Sequence, residues 1–163
     1  METKLSKYAP PGYDFKFDKT FFFAGIGIAT GLSFSYFFRF WSEKNSLYEY
    51  YLGEKTLIPG QIMPDFIEIF SGSLGGYFVL SLAMLLLIAV RYSYYYQHSK
   101  SIYLMKRLPN RFEMHRRCII VPVIAALLCV AAAFLVLLLY FGHYMIFTPD
   151  ACLTPGQWTK IWK

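Results

Sequence analysis

Long apolar runs dominate the order of hydrophobic and polar positions along the chain. Three of them, at residues 21–41, 74–96 and 119–147, are long enough to cross a bilayer as helices, because a spanning helix needs about 20 mostly apolar residues. None of the three alternates apolar and polar positions with period two, as half-buried strands do. Helices also satisfy their own backbone hydrogen bonds inside lipid. The pattern therefore predicts an all-α integral membrane protein with three transmembrane helices.

Polar or mixed segments separate and flank these spans. We expect residues 1–20 to form a tail, 42–73 a first loop, 97–118 a second loop and 148–163 a second tail. The first 20 residues are polar and mixed in charge, and the apolar run after them is too long for the hydrophobic region of a signal peptide. We therefore expect the first span to be retained.

Composition agrees with a membrane protein. Hydrophobic residues make up 56% of the 163-residue chain, aromatic residues 20% and charged residues 16%, whereas soluble domains carry about 25% charged residues. This composition excludes a disordered chain and an ordinary soluble enzyme, and 3 cysteines are too few for a disulfide scaffold. We expect residues 1–163 to form a single multi-pass domain in the cell membrane.

The two loops differ strongly in charge. Residues 42–73 contain five acidic and two basic side chains, whereas residues 91–117 contain seven basic side chains and one acidic side chain. The positive-inside rule places the second loop and the N-terminus in the cytoplasm, and the first loop and the C-terminus on the extracytoplasmic side. A net charge of +6 would suggest nucleic acid for a soluble protein. For this chain we expect anionic lipid as a partner and no nucleic acid.

The first loop contains one segment with helical apolar spacing. Residues 65–70 place Phe66, Ile67 and Phe70 at positions that one helical face can share, after the breaks at Pro59, Gly60 and Pro64. The amphipathic spacing predicts a short interfacial helix that leads into the second span. The alternative is a partly ordered surface loop.

The second loop predicts two short helices. Ser99 can cap a helix through SIYLMKRL, Pro109 ends it, and NRFEMHRR then leads into the third span. Ile102, Leu104, Met105 and Leu108 form an apolar face beside basic side chains. From the residues alone, two interpretations stay open. The segment either lies on the anionic inner leaflet or docks on a cytoplasmic protein partner.

The same loop carries a loose signature, with Tyr103, Leu104, Met105, Leu108 and Pro109 in SKSIYLMKRLP, followed by NRFEMHRR. It resembles the intracellular loop of type-2 ABC transporter permeases, which often ends in a YLL-x-x-LP type sequence. In that family the short helix is the coupling helix that seats on the ATP-binding subunit. The resemblance implies that a cytoplasmic ATP-binding subunit contacts these coupling-loop residues: Ile102, Tyr103, Leu104, Met105, Lys106, Arg107 and Leu108.

The resemblance covers about 20 of 163 residues. Such permeases usually have about six spans, whereas this pattern predicts three. The resemblance therefore implies a half-size permease or an accessory subunit beside a full one. The chain has no G-x-x-x-x-G-K-[ST] sequence, so an ATPase would have to be another chain.

Candidate residues for chemistry are few. The three histidines lack metal-ligand spacing, no nucleophile motif is present, and we expect no acidic residue inside a span. We expect no catalytic residue, no cofactor and no metal. Arg39 is the one strong intramembrane charge, and snorkelling to the interface is favoured over a buried pair. Cys118 and Cys129 read as packing residues, and Cys152 as a free thiol or an intermolecular pair.

Small residues predict helix association. Gly27 and Gly31 form a G-x-x-x-G, and Ser35 extends the same face. Such faces let helix backbones approach closely in membranes. Three spans are also few for an enclosed pathway, so we expect other membrane subunits as partners.

The sequence thus favours a membrane subunit of an ABC-type export complex that couples a separate ATP-binding subunit to the transmembrane helices. Its action would be mechanical, and the chain itself would not be an enzyme. The alternative is a small non-transporting membrane protein for assembly, regulation or immunity, which binds another membrane protein.

Overall fold

The computed structural model describes residues 15–51, 54–97 and 112–162, and most of them are helical. The elements follow in chain order as α1 (Phe15–Ser33), α2 (Ser35–Ser46), β1 (Tyr48–Tyr51), β2 (Glu54–Leu57), α3 (Phe66–Phe70), α4 (Gly75–Gln97), α5 (Phe112–Phe147), a 3-10 turn (Asp150–Cys152) and α6 (Gln157–Lys160).

Three helical stretches are long and apolar enough to cross a membrane. They are Lys16–Ser46, which joins α1 and α2, then Gly75–Ser93 in α4 and Cys118–Phe147 in α5. Large apolar side chains point outward along all three, with Phe38 80% exposed, Val79 70% and Leu139 70%. Such surfaces are typical of helices that face lipid. The prediction of an all-α chain with three candidate transmembrane helices is confirmed.

The helices extend beyond the apolar runs that predicted them. The helix α1 begins at Phe15 and α5 begins at Phe112, both before the expected starts at residues 21 and 119. Backbone hydrogen bonding continues through polar residues, so hydropathy alone places helix ends poorly. The extension of α1 brings Asp18 into the helix.

A tight turn at Phe34 separates α1 from α2. The Phe34 amide donates to the Gly31 carbonyl at 3.2 Å and the Phe37 amide to the Phe34 carbonyl at 3.0 Å, which are the shorter i−3 bonds of a 3-10 turn. The Ser33 hydroxyl donates to the Thr30 carbonyl at 2.7 Å. Serine bonding back to the preceding turn bends helices, which accounts for the interruption at this position.

The first loop contains a hairpin that the sequence analysis did not predict. The strands β1 and β2 are antiparallel, with Tyr48 opposite Leu57 and Tyr51 opposite Glu54, and the Ile58 amide donates to the Leu47 carbonyl at 3.1 Å. Aromatic residues favour strands, but four residues are too few to establish a period of two. The sequence therefore contains no alternation long enough to predict the hairpin.

The described residues belong to two compact units. The first comprises residues from 1–29 and 77–132, and the second comprises residues from 30–76 and 133–163. In the first unit a core forms from side chains of α1, α4 and α5: Phe22, Ile26, Leu80, Met84, Leu87, Ala125, Ala126 and Cys129. A Cβ at Gly25 would collide with a Leu80 methyl group, so glycine here permits the close approach of α1 and α4.

The second unit has an aromatic core. The rings of Tyr36 and Tyr140 stack with their centroids 4.5 Å apart, and the ring of Phe66 lies edge-on to that of Tyr144 at 5.6 Å. Each buried phenol also has a polar partner. The Tyr36 hydroxyl donates to the Tyr140 carbonyl at 3.1 Å, and the Tyr144 hydroxyl to the Pro64 carbonyl at 2.9 Å. A buried tyrosine hydroxyl needs a hydrogen-bond partner, so these bonds fix the positions of the two rings in the core.

The short helix expected at residues 65–70 is present as α3. Phe66, Ile69 and Phe70 are buried, whereas Ile67 is exposed. The buried face of α3 packs into the aromatic core of the second unit.

The C-terminal segment binds the start of α3. The Lys160 ammonium lies 2.7 Å from Asp65 Oδ1 and 2.9 Å from Oδ2, and the Thr154 hydroxyl donates to Oδ1 at 2.8 Å. The Gln157 side chain donates to Oδ1 at 3.0 Å and accepts the Phe66 amide at 3.0 Å. We call these four residues, Asp65, Thr154, Gln157 and Lys160, the carboxylate clamp.

The clamp predicts a transition in acid. The Lys160 ammonium and the Thr154 hydroxyl lower the pKa of Asp65 below its ordinary 3.8. A lowered pKa in the folded state gives a stabilising contribution that is complete above the unfolded value and is lost as pH falls through the folded value. We expect the C-terminal segment to loosen below pH 3.8, observed as a change in Trp158 emission in a Trp41→Phe, Trp162→Phe background. Asp65→Asn should remove this transition, and an unchanged titration in that variant would contradict the assignment.

Candidate functional site

The coupling-loop residues Ile102 to Leu108 lie outside the described residues. The structure describes the two helices that the segment connects, α4 up to Gln97 and α5 from Phe112. The candidate site is therefore built from the helix ends that flank the segment, which all belong to the first unit.

A buried ion pair joins α1 and α4 in the first unit. Arg91 is fully buried and Asp18 is 5% exposed. The Arg91 Nε donates to Asp18 Oδ2 at 3.1 Å, and Nη2 of the same guanidinium bonds the same oxygen. Charged bonds of this kind are roughly twice as strong as neutral ones. Removing either partner would leave the other charge buried, which is costly.

A second polar contact joins α4 and α5. The Tyr92 hydroxyl and His115 Nδ1 share a hydrogen bond of 2.6 Å, and their rings lie 5.7 Å apart. Tyr92 follows Arg91 directly in the sequence. The last turns of α4 therefore contact both α1 and α5, close to where the chain enters and leaves the 98–111 segment.

A cavity of about 270 Å³ lies beside the ion pair, in the first unit. Its wall is almost entirely apolar and comes from α1, α4 and α5. The apolar lining residues are Phe22, Phe23, Met84, Leu87, Val121, Pro122, Ile124, Ala125 and Leu128. The charged side chains at it are Asp18, Lys19 and Arg91.

The predicted first span, residues 21–41, contains no acidic residue, but the helical stretch around it is longer, Lys16–Ser46, and includes Asp18 and Glu43. A helical period does point to the pair. Phe22 and Ile26 follow Asp18 at intervals of four residues. Arg91 lies four residues after Leu87, which itself lies three residues after Met84. Each charge thus continues a buried apolar stripe. That continuity was the available signal. The predicted start at residue 21 left Asp18 outside the first span, whereas Arg91 lies within the predicted span at residues 74–96.

Arg39 lies in the second unit and is exposed. Its Nη1 donates to the Ser71 carbonyl at 2.8 Å. An exposed Arg39 agrees with the favoured interpretation and not with a buried ion pair inside the described residues. The side chain instead satisfies a carbonyl just after α3.

The predicted association face is on the surface of the described chain. Gly27, Gly31 and Ser35 are exposed, and a Cβ at either glycine would have no other atom within 4 Å. This face is therefore not used for packing inside the described chain. Its association with another subunit stays a prediction.

The remaining candidates serve packing. Among the residues that the structure describes, no group of three or more His, Cys, Asp or Glu side chains could hold a metal ion. All three cysteines lie in this described part and are buried without a disulfide. Cys152 is only 4% exposed, which disfavours an intermolecular bond. His143 packs on Phe40 with ring centroids 4.8 Å apart.

Comparison with known proteins gives no relative. No protein-family model, curated protein or solved structure matches the chain.

The buried ion pair predicts a large loss of stability when one charge is removed. Asp18→Asn removes the carboxylate charge that Asp18 presents to the buried Arg91 guanidinium, and breaking a buried ion pair typically costs about 3 to 5 kcal/mol. We expect a clearly lower thermal unfolding temperature for the purified protein in mild detergent. Asp18→Asn with Arg91→Gln should recover part of the loss, because both charges of the pair are then removed.

The matched control is Asp150→Asn, which changes an exposed carboxylate and should leave the unfolding temperature almost unchanged. An Asp18→Asn protein as stable as this control would contradict the buried pair.

Proposed function

We propose that the chain is a membrane subunit of an ABC-type export complex, with residues 102–108 docking on a cytoplasmic ATP-binding subunit. In this proposal the N-terminus and residues 97–118 are cytoplasmic, and the hairpin and the C-terminal segment are extracytoplasmic. The charge difference between the loops supports this orientation. The signature around Tyr103 and Leu104 supports the partner.

The observation that carries the proposal is the linkage of the helix ends around the 98–111 segment. Arg91 and Tyr92 hold the end of α4 to α1 and to α5 through the bonds to Asp18 and His115. A force applied between Gln97 and Phe112 would therefore reach three helices through two short polar contacts. A coupling segment needs this property, because it transmits motion without covalent chemistry.

The exposed face of Gly27, Gly31 and Ser35 supports a multi-subunit complex. Three spans are few helices for an enclosed transport pathway. Close association with other subunits through small residues would add further helices. The same face suits the alternative function equally well, a non-transporting protein that binds another membrane protein. The two differ in whether an ATPase is a partner.

The test is substitution of Tyr103 and Leu104, the two residues of the 102–108 segment that we propose as anchors on the ATP-binding subunit. Tyr103→Ala with Leu104→Ala should release the ATP-binding subunit or uncouple ATP hydrolysis from transport, because truncating a buried anchor commonly costs about 2 kcal/mol or more. The measurement is ATPase activity that co-purifies with the tagged chain from its native membrane, normalised to the amount of chain.

Lys106→Ala is the matched control within the same segment. A charge at the rim of an interface mainly changes salt dependence and association rate, so the co-purified ATPase should remain. If instead the segment lies on lipid, Lys106→Ala should weaken membrane contact, at about 1 kcal/mol per basic residue. That result, with no co-purifying ATPase, would contradict the export proposal.

The small-residue face predicts a separate defect in assembly. Gly27→Leu with Gly31→Leu should reduce association with other membrane subunits, because the new side chains would hold the helices apart. The thermal stability of the chain itself should change little, since both positions face open space. Crosslinking in native membranes followed by electrophoresis measures the association.

Gly142→Leu provides the control, because this glycine of α5 also has open space beside it but lies outside the G-x-x-x-G. Assembly of the double variant at the level of the Gly142→Leu control would show that Gly27 and Gly31 do not form a contact.

A further inference from the structure

The cavity beside the ion pair, which we call the groove, combines an apolar wall with a charged rim. Phe22, Met84 and Leu128 are among the side chains that form the wall, and the ion pair of Asp18 with Arg91 lies at the same cavity. These two charges offset each other. Lys19 is exposed and lines the groove as well, so the rim carries net positive charge.

Further basic side chains lie in the same unit. Lys16 and Lys19 together line a shallow depression that shares Lys19 and Phe23 with the groove. Lys16 therefore lies close to Lys19, at a depression that adjoins the groove.

The size of the groove selects among apolar occupants. Its volume of about 270 Å³ is near the lower bound of about 300 Å³ for small-molecule sites. A transmembrane helix with its side chains is about 10–12 Å across, which is too wide for a cavity of this volume to enclose. A single hydrocarbon chain is slender and flexible, and it matches a wall that offers almost no hydrogen-bonding groups.

We propose that this groove binds one acyl chain of an anionic phospholipid, with the lipid phosphate held at Lys19. The hydrocarbon chain covers apolar side chains that α1, α4 and α5 leave uncovered. The phosphate supplies the negative charge that Lys19 favours. A zwitterionic lipid has the same acyl chain but no net negative charge, so it binds less tightly. The site does not depend on the proposed export function or on its ATP-binding subunit.

The test distinguishes binding of the acyl chain from binding of the headgroup. The purified full chain in mild detergent is given an equal mixture of phosphatidylglycerol and phosphatidylcholine, and native mass spectrometry counts the lipids bound to each protein. We expect at least one retained phosphatidylglycerol. Lys19→Gln should reduce the preference for phosphatidylglycerol about fivefold, which corresponds to about 1 kcal/mol for one lysine near anionic lipid.

A bulkier side chain should close the groove. Leu128→Trp places an indole at the wall and should lower retention of both lipids. Leu127→Trp is the matched control, because Leu127 is an exposed neighbour on α5 outside the groove lining. Lys44→Gln, in the second unit, controls for loss of one positive charge. Both controls should bind lipid like the unchanged protein.

Three outcomes would overturn the proposal. The first is equal lipid retention by Leu128→Trp and Leu127→Trp, which would remove the groove as the binding site. The second is an unchanged lipid preference in Lys19→Gln, which would remove the headgroup contact. The third is a crosslink from residue 128 to another membrane protein in native membranes, which would make a protein the occupant.

Discussion

The ion pair of Asp18 and Arg91 is the constraint on which the arrangement of the first unit depends. Burial costs each of the two ions several kcal/mol of hydration, which only close pairing can offset. Here two guanidinium nitrogens bond one carboxylate oxygen. A helix turns by about 100° per residue, since it has 3.6 residues per turn. Rotating α1 by one residue would therefore remove Asp18 from its partner. The pair thus favours the same face of α1 that the close approach of Gly25 to Leu80 turns toward α4.

The second unit reaches a fixed arrangement by different means. Its core consists of stacked and edge-on rings whose hydroxyl groups are bonded to backbone carbonyls or to another hydroxyl, as in the bond of 3.0 Å between Ser33 and Tyr140. Ring stacking tolerates sliding, whereas a hydrogen bond to one carbonyl does not. The carboxylate clamp adds the same kind of directional contact outside the spans. In both units, directional polar bonds reinforce a geometry that apolar contact also favours.

Much of the fold could be predicted from the sequence because its strongest signal, apolar run length, is local. The three candidate spans follow from that signal. The short helix at Phe66–Phe70 follows from another local signal, the amphipathic spacing of neighbouring residues. The hairpin could not be predicted, because four-residue strands leave no usable period. The pair of Asp18 with Arg91 and the clamp at Asp65 were missed for another reason. Each joins residues at least 73 positions apart, and a single sequence does not show which polar side chains meet. The 102–108 segment was assigned by resemblance and stays a prediction.

The bond between Tyr36 and Tyr140 also sets an order for assembly. Its two ends are 104 residues apart in the chain, and a ribosome adds about 5–20 residues per second. The helix α2 is therefore synthesised about 5 to 20 s before α5 provides the carbonyl for its phenol. During that interval the aromatic side chains of α2 lack the partners that α5 later supplies. Synthesis of α5 thus ends this exposure and completes the core of the second unit.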